Sequence, residues 1–450
     1  MNFANFKCNM FVIIARRILT LISILFFSVA IFAQLPRSNE FHKKYTLKEV
    51  VVMSRHNIRA PLSTDGSPIN RITSNKWTNW TAPAGELSLR GGVMETAMGQ
   101  FFRKWVLSEN LLPDNYIPTG EEIYFYTNSL QRTFATGKYF SAGFLQYANI
   151  KINRRYNENR MDPVFTPKFT KMTKEYKAEV ERSMNAMGGK GGFKTLMRKV
   201  EPQLQLMATV TDLEHSPACT EGDTCHFFYE DTKILIVKDD EPRMQGGYAL
   251  ANSTADALIL QYYEMEDSVA AAFGHRLTSE QWRQFGEIKS VYDNLLFTSH
   301  IAAINLAYPL VSRIYDEINN DKRKFVFLCG HDSNLASLRG ALYMLIPYTH
   351  STPEVHTPIG SKYVFEKWSD GNDLFVAVNL VYPSANQLRT KAELTPASTP
   401  VILPMSFQML SPNADGLYPL TDFNDFLKNT MKEFYEIDAN QDISSAINCK

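Results

Sequence analysis

Arg55-His56-Asn57-Ile58-Arg59 places two guanidinium groups around one imidazole. Guanidinium forks bind phosphate bidentately. The same cations disfavour imidazolium, so His56 is expected to stay neutral and nucleophilic at mildly acidic pH. The competing reading is a basic surface cluster that opens a helix. A second constellation, His331-Asp332, directly follows the apolar run Phe325-Val326-Phe327-Leu328-Cys329 and Gly330. His331 can donate a hydrogen bond to a phosphate oxygen, and Asp332 can protonate a leaving alkoxide as general acid. Asp332 can also cap the following helix, and the two roles are compatible. Arg132 falls in the first turn after the run Ile123-Tyr124-Phe125-Tyr126. A helix N-terminus there adds backbone N–H groups facing an anion. Taken alone, Arg132 reads better as a solvated arginine.

Together these are three Arg, two His and one Asp. The set suits phosphoryl transfer, in which positioning and charge neutralisation dominate. No acidic cluster of the Mg²⁺-binding kind accompanies it, so the arginines stand in for a metal. Neither metal nor cofactor is expected. Asp332 in an empty, strongly positive pocket should be ionised. A bound phosphate dianion pushes its pKa back up, so the acid role fits a loaded site.

The elements that must position these residues follow one pattern three times. A short apolar run leads to a polar turn and then a helical stretch. The runs begin at Val50, Ile123 and Phe325. Continuous apolar runs alternating with helices predict an α/β fold with a mainly parallel sheet flanked by helices. Polar residues at the carboxyl ends of such strands line the usual ligand crevice. The middle of the chain differs. It is rich in Lys, Glu and Met, with a helical run over residues 170–187 and then Gly188-Gly189-Lys190-Gly191-Gly192. The glycines lack a preceding strand and the Walker spacing, so they read as a hinge or turn. The expected organisation is an α/β domain over residues 34–150 and 251–450, interrupted by a smaller, mostly helical domain over 151–250.

Composition bounds the partners. The chain has 450 residues, 47 basic and 47 acidic, which argues against a nucleic-acid binder working through bulk charge. Residues 1–33 read as a signal peptide: Lys7, Arg16 and Arg17 precede an apolar run, and Ala33 precedes Gln34. A membrane anchor is the other reading, but the run is short for a span. Cleavage leaves 44 basic against 47 acidic residues. The mature protein is then expected to be periplasmic or secreted, with no membrane partner. Cys219 and Cys225 enclose a short polar loop. They read as a local disulfide in an oxidising compartment, or as two free thiols. Cys329 reads as a buried thiol.

The segment Met53-Ser54-Arg55-His56-Asn57-Ile58-Arg59-Ala60-Pro61-Leu62, with Gly330-His331-Asp332, resembles the histidine acid phosphatases. That family includes bacterial phytases, and the likeness is closer to its glucose-1-phosphatase type. Asn57 stands where most of the family has Gly, as in that type. Asn75-Lys76-Trp77, Gly91-Gly92-Val93, Asn128-Ser129-Leu130-Gln131-Arg132-Thr133 and Ser216-Pro217-Ala218-Cys219 are similar too. So are Leu260-Gln261-Tyr262-Tyr263-Glu264, Thr357-Pro358-Ile359-Gly360 and Ala414-Asp415-Gly416. The resemblance implies a phosphoglycerate-mutase-like α/β domain, a helical domain, and a site between them. It implies His56 as nucleophile, Asp332 as acid, and Arg55, Arg59, Arg132 and His331 as phosphate ligands. Glu264 matches a glutamate that narrows the pocket, although an exposed helix residue is its other reading. Cys219–Cys225 resembles a family disulfide. Cys329 and Cys449 do not sit where a family pair is expected.

The expected function is metal-independent hydrolysis of small phosphomonoesters, with glucose 1-phosphate leading. Inositol hexakisphosphate is the alternative substrate; Glu264 would repel its extra phosphates. A non-catalytic sugar-phosphate binding protein needs neither His56 nor Asp332, and a cytosolic phosphomutase conflicts with the signal segment. Monomer and homodimer both remain open.

Overall fold

The computed structural model describes residues 37–447 apart from 223 and 396, with only the backbone for 439–447. The signal peptide expected at 1–33 and Cys449 lie outside the described residues.

Eight strands form the main sheet: β1 (Thr46–Arg55), β2 (Ile123–Thr127), β3 (Ile152–Asn153), β4 (Phe325–Gly330), β5 (Lys362–Ser369), β6 (Leu374–Tyr382), β7 (Val401–Pro404) and β8 (Tyr418–Pro419). Their order is β7-β6-β5-β1-β4-β2-β3, with β8 also on β6. β1, β4, β2 and β3 run parallel, and the first three are the expected strands that carry the site. The remaining strands add antiparallel ladders beyond β1.

Both faces of the sheet are covered, which is why its central strands read as unbroken apolar runs. Val51 and Met53 of β1 enter one apolar cluster, and Val50 and Val52 enter the other. The second face is covered by α1 (Leu89–Ser108) and α2 (Gln131–Phe144). Gly99 lets these helices touch: a Cβ there would lie 2.2 Å from the carbonyl oxygen of Phe140. The close approach seats Phe140 and Phe144 on the sheet, with ring centroids 4.3 Å from Phe327 and 4.1 Å from Phe325, respectively.

The helical part includes Lys174–Ala186, Glu201–Thr211, α3 (Gly247–Glu264) and α4 (Ser279–Phe297). The run expected from residue 170 begins only at Lys174. Asn305 takes the backbone N–H of Thr170 at 3.0 Å and donates to the carbonyl of Lys171 at 2.7 Å, which holds those residues out of the helix. Residue 250 lies in the first turn of α3. Ala251, Ala255 and Leu258 of that helix share one apolar cluster with Val180 and Met207. The boundary expected at 250 thus falls inside α3, and we propose that the helical part extends beyond it. Cys219 and Cys225 form a disulfide, and Cys329 is a buried free thiol.

α5 (His300–Ile318), α6 (Asp332–Ala341) and α7 (Leu420–Ile447) complete the other face. Among the described residues, no single helix is long and apolar enough to cross a membrane.

The register levels three strand ends. Arg55 lies opposite Gly330, and Thr127 opposite Cys329. The polar turns after β1, β2 and β4 therefore emerge together.

Candidate active site

After β1 the chain continues as irregular backbone. The backbone N–H of Arg55 donates to Ser361 at 2.9 Å and that of His56 to Gly330 at 3.1 Å. The segment neither opens a helix nor lies on the surface: Arg55, His56 and Arg59 are all buried. The Nδ1 atom of His56 is 2.8 Å from the carbonyl oxygen of Asn57. A carbonyl only accepts, so Nδ1 carries the proton and Nε2 the lone pair. Burial pushes the pKa of His56 well below its ordinary value, and Arg132, Arg59 and Arg55 push it further. The imidazole is therefore neutral and its Nε2 unprotonated.

The three arginines are held differently. Arg55 Nη2 pairs with Asp332 Oδ2 at 3.0 Å, and Nη1 lies 3.6 Å from Glu354 Oε1. Arg59 pairs with Asp256 at 2.9 Å, and Asp256 also holds Lys289 at 2.9 Å. Burial raises the pKa of Asp256, but Arg59 and Lys289 outweigh it and hold the carboxyl below the usual range. Arg132 has no carboxylate within 4.0 Å among the described residues; its nearest polar partner is the Gly85 carbonyl at 3.4 Å. Burial and Arg59 lower its pKa to about 10, which still leaves it charged at neutral pH.

His331 sits at the N-cap of α6, where its backbone N–H donates to Asn334 Oδ1 at 2.8 Å. Asp332 is the first helical residue, so capping falls to its neighbours. Among the described residues its Oδ1 accepts only from the adjacent Ser333 N–H, at 3.0 Å, and Oδ2 is left to Arg55. Burial raises the pKa of Asp332, yet Arg55, Lys289 and Arg59 hold it well below the carboxylate range. His331 Nε2 is 2.7 Å from the Asn128 side-chain nitrogen. Asn128 Oδ1 accepts the N–H groups of Ser129 and Asp162, which turns the amide N–H towards His331. Burial and Arg132 keep His331 neutral. The two imidazoles lie edge to face, with centroids 5.5 Å apart.

Six of the expected residues thus converge at the levelled strand ends. Glu264 reaches them only indirectly. It ends α3 and accepts a hydrogen bond from Ser88 Oγ at 2.7 Å. Ser88 caps α1 and donates its own N–H to Ile58 at 2.9 Å. Sequence reasoning missed Asn128 as the partner of His331, Glu354 as the second partner of Arg55, and the Asp256–Lys289 pair on Arg59. It also missed two acids in the field of Asp332. Burial pushes Asp293 up to about 7, aided by Asp332 against Lys289. Burial, Asp240 and Asp332 push Glu241 up to about 7. Of these only Asn128 lies in a motif, the segment Asn128 to Thr133, and its pairing with His331 is not visible there. Among the described residues, no group of three or more His, Cys, Asp or Glu side chains is arranged to hold a metal ion.

Chemically, the site offers an unprotonated imidazole nitrogen, an anion cradle of guanidinium groups, and a carboxylate on one of those groups. The unpaired Arg132 is the cation most available to an incoming dianion. Arg132→Ala is expected to lower kcat/KM by about 10²-fold, as loss of a charged hydrogen bond in a desolvated site does. Steady-state kinetics checks this, and a change under twofold would remove Arg132 from the anion cradle.

The family model described as histidine phosphatase superfamily (branch 2) matches residues 46–382. The glucose-1-phosphatase of Providencia rettgeri is 34% identical over 420 residues, covering 90% of this chain and 98% of that protein. The glucose-1-phosphatase of Salmonella typhimurium is 34% identical over 394 residues, covering 86% and 93%. A solved structure of Hafnia alvei phytase, in complex with myo-inositol hexakis sulphate, superposes with a TM-score of 0.76. It is 26% identical and covers 86% of this chain and 97% of that one.

Proposed function

Because the chain belongs to the histidine phosphatase superfamily, branch 2, we propose that this phosphomonoester hydrolase works through a phosphohistidine on His56. The observation that carries the reading is the 2.8 Å bond from His56 Nδ1–H to the Asn57 carbonyl, which leaves Nε2 as a lone pair beside three arginines. Nε2 attacks phosphorus, and the bond to the ester oxygen breaks. Asp332 gives its proton to the departing alkoxide. Water then attacks phosphorus, Asp332 takes back a proton, the P–N bond breaks and phosphate leaves. Arg55, Arg59 and Arg132 hold the phosphoryl oxygens, with His331 as a neutral donor.

Asp332 must be protonated when the ester binds, although Arg55 favours its anion in the empty site. The incoming dianion supplies the opposing charge. The rate is therefore expected to peak on the acidic side. His56, with its pKa lowered, stays unprotonated there. A pH–rate profile checks this; a maximum well above neutrality would count against Asp332 as the acid.

Glucose 1-phosphate is the leading substrate. Two glucose-1-phosphatases are similar over most of the chain, and Glu264 adds a negative charge that disfavours further phosphates. The alternative is inositol hexakisphosphate, supported by the likeness to a phytase that holds its sulphate analogue. Phosphate release at pH 5 with EDTA, from the two substrates side by side, decides between them. Faster release from the sugar phosphate supports the first reading, and the reverse supports the second. Glu264→Gln is expected to raise the inositol-phosphate rate relative to the sugar-phosphate rate by about tenfold, the scale of one charge contact. An unchanged ratio would sink the gate. Export beyond the cytoplasm is supported by the N-terminal sequence and by the Cys219–Cys225 disulfide.

A further inference from the structure

We propose that a buried ion pair, Glu95–Lys362, positions His56 for attack by acting through Asn57. It rests on His56 being the nucleophile.

Glu95 lies in the second turn of α1 and Lys362 opens β5. Both side chains are fully buried, with Lys362 Nζ 2.8 Å from Glu95 Oε1. The other carboxylate oxygen accepts from Asn57 Nδ2 at 2.9 Å. Asn57 Oδ1 accepts the Ile58 N–H at 2.9 Å, which settles the amide's orientation. The Asn57 carbonyl then receives Nδ1–H of His56.

The same lysine grips the other side of the nucleophile. Lys362 Nζ donates to the Gly360 carbonyl at 2.9 Å, and the Gly360 N–H donates to the His56 carbonyl at 3.2 Å. Gly360 has φ +67°, and a Cβ there would lie 2.6 Å from Asn57 Nδ2. The contacts therefore close a ring: His56, Asn57, Glu95, Lys362, Gly360 and back to His56. Neither Glu95 nor Lys362 bonds to Arg55, Arg59, Arg132, His331 or Asp332, so both are positioning residues.

Burying two charges is costly, and replacing such a pair by apolar or neutral groups of similar size is often neutral or stabilising. Stability alone does not account for a carboxylate and an ammonium at zero exposure. What the pair supplies is direction. Its charge-assisted bonds fix the amide that lies against the nucleophile, and a fixed orientation is what an attacking lone pair requires.

The double variant Glu95→Gln/Lys362→Met removes both charges and keeps the volumes. Its melting temperature is expected to stay level or rise, KM to stay within about twofold, and kcat to fall about tenfold, the usual lower range for losing a supporting hydrogen bond on a functional histidine. In ¹⁵N NMR, the single Nδ1–H tautomer of His56 in the parent should give way to a mixture. A merely structural pair would lower the melting temperature and leave the tautomer alone. A folded double variant with the parent's kcat and tautomer overturns the proposal. Should that variant not fold, Asn57→Ala cuts only the link and leaves the pair intact. An unchanged kcat there overturns the proposal equally. His56→Ala separates the two readings: if it retains turnover, the nucleophile assignment has failed; if it is inactive while the pair variants match the parent, only the positioning role has.

Discussion

His56→Ala is expected to lose turnover by at least about 10⁴-fold while binding substrate almost as well as the parent. The first half follows from losing the nucleophile, for which water is a poor replacement. The second half follows from the charge state. Burial and the surrounding cations keep His56 neutral. Removing a neutral ring takes no positive charge from the anion cradle, and Arg55, Arg59 and Arg132 remain. Folding should survive, because the Asn57 carbonyl loses one donor and the cavity is that of one imidazole. Isothermal titration with glucose 1-phosphate, alongside steady-state kinetics, checks both halves. Turnover within tenfold of the parent would end the phosphohistidine account. Loss of binding together with turnover would mean that His56 held the substrate as a cation, against the neutrality argued above.

Asp332→Asn should separate esters by their leaving groups. An alkoxide leaves poorly and needs a proton, whereas a nitrophenolate leaves without one. The rate of the phosphorylation step is expected to fall by about 10²- to 10⁴-fold for glucose 1-phosphate, the usual range for a general acid. For 4-nitrophenyl phosphate the fall should be at least about tenfold smaller. Asn also removes a negative charge 3.0 Å from Arg55. Phosphate should therefore bind more tightly to the variant, and product inhibition should increase. Rapid-mixing measurement of the first turnover isolates the phosphorylation step. Equal losses for the two esters would contradict the proton-donor role.

The part of the site that was legible in the sequence is the part built from contiguous motifs at strand ends. Arg55, His56, Arg132, His331 and Asp332 each follow an unbroken apolar run. Such runs announce buried strands because both faces of the sheet are covered. The capping reading of Asp332 was displaced by one residue: Asn334 takes the backbone N–H of His331, and Asp332 begins the helix proper. What stayed hidden came from far along the chain. Asp256 and Lys289 lie on separate helices, α3 and α4, and only their packing brings both to Arg59. Glu354 comes from a loop with no pattern of its own. The packing of α3 was hidden for a similar reason. α3 alternates small and large apolar residues on a core shared with helices 40 to 70 residues upstream, and local composition does not report that sharing. Glu264 illustrates the limit of a resemblance. It marked the residue, but only the fold brings its carboxylate to Ser88, at the cap of α1.

The central claim is a covalent bond between phosphorus and His56 Nε2. Rapid acid-free quenching with ³²P-labelled substrate, followed by peptide mapping, tests it directly. The account predicts a burst approaching one label per active site, stable to alkali and lost in acid, on the peptide that contains His56. Steady turnover with no protein-bound label at any time, or a label on another residue, would contradict it.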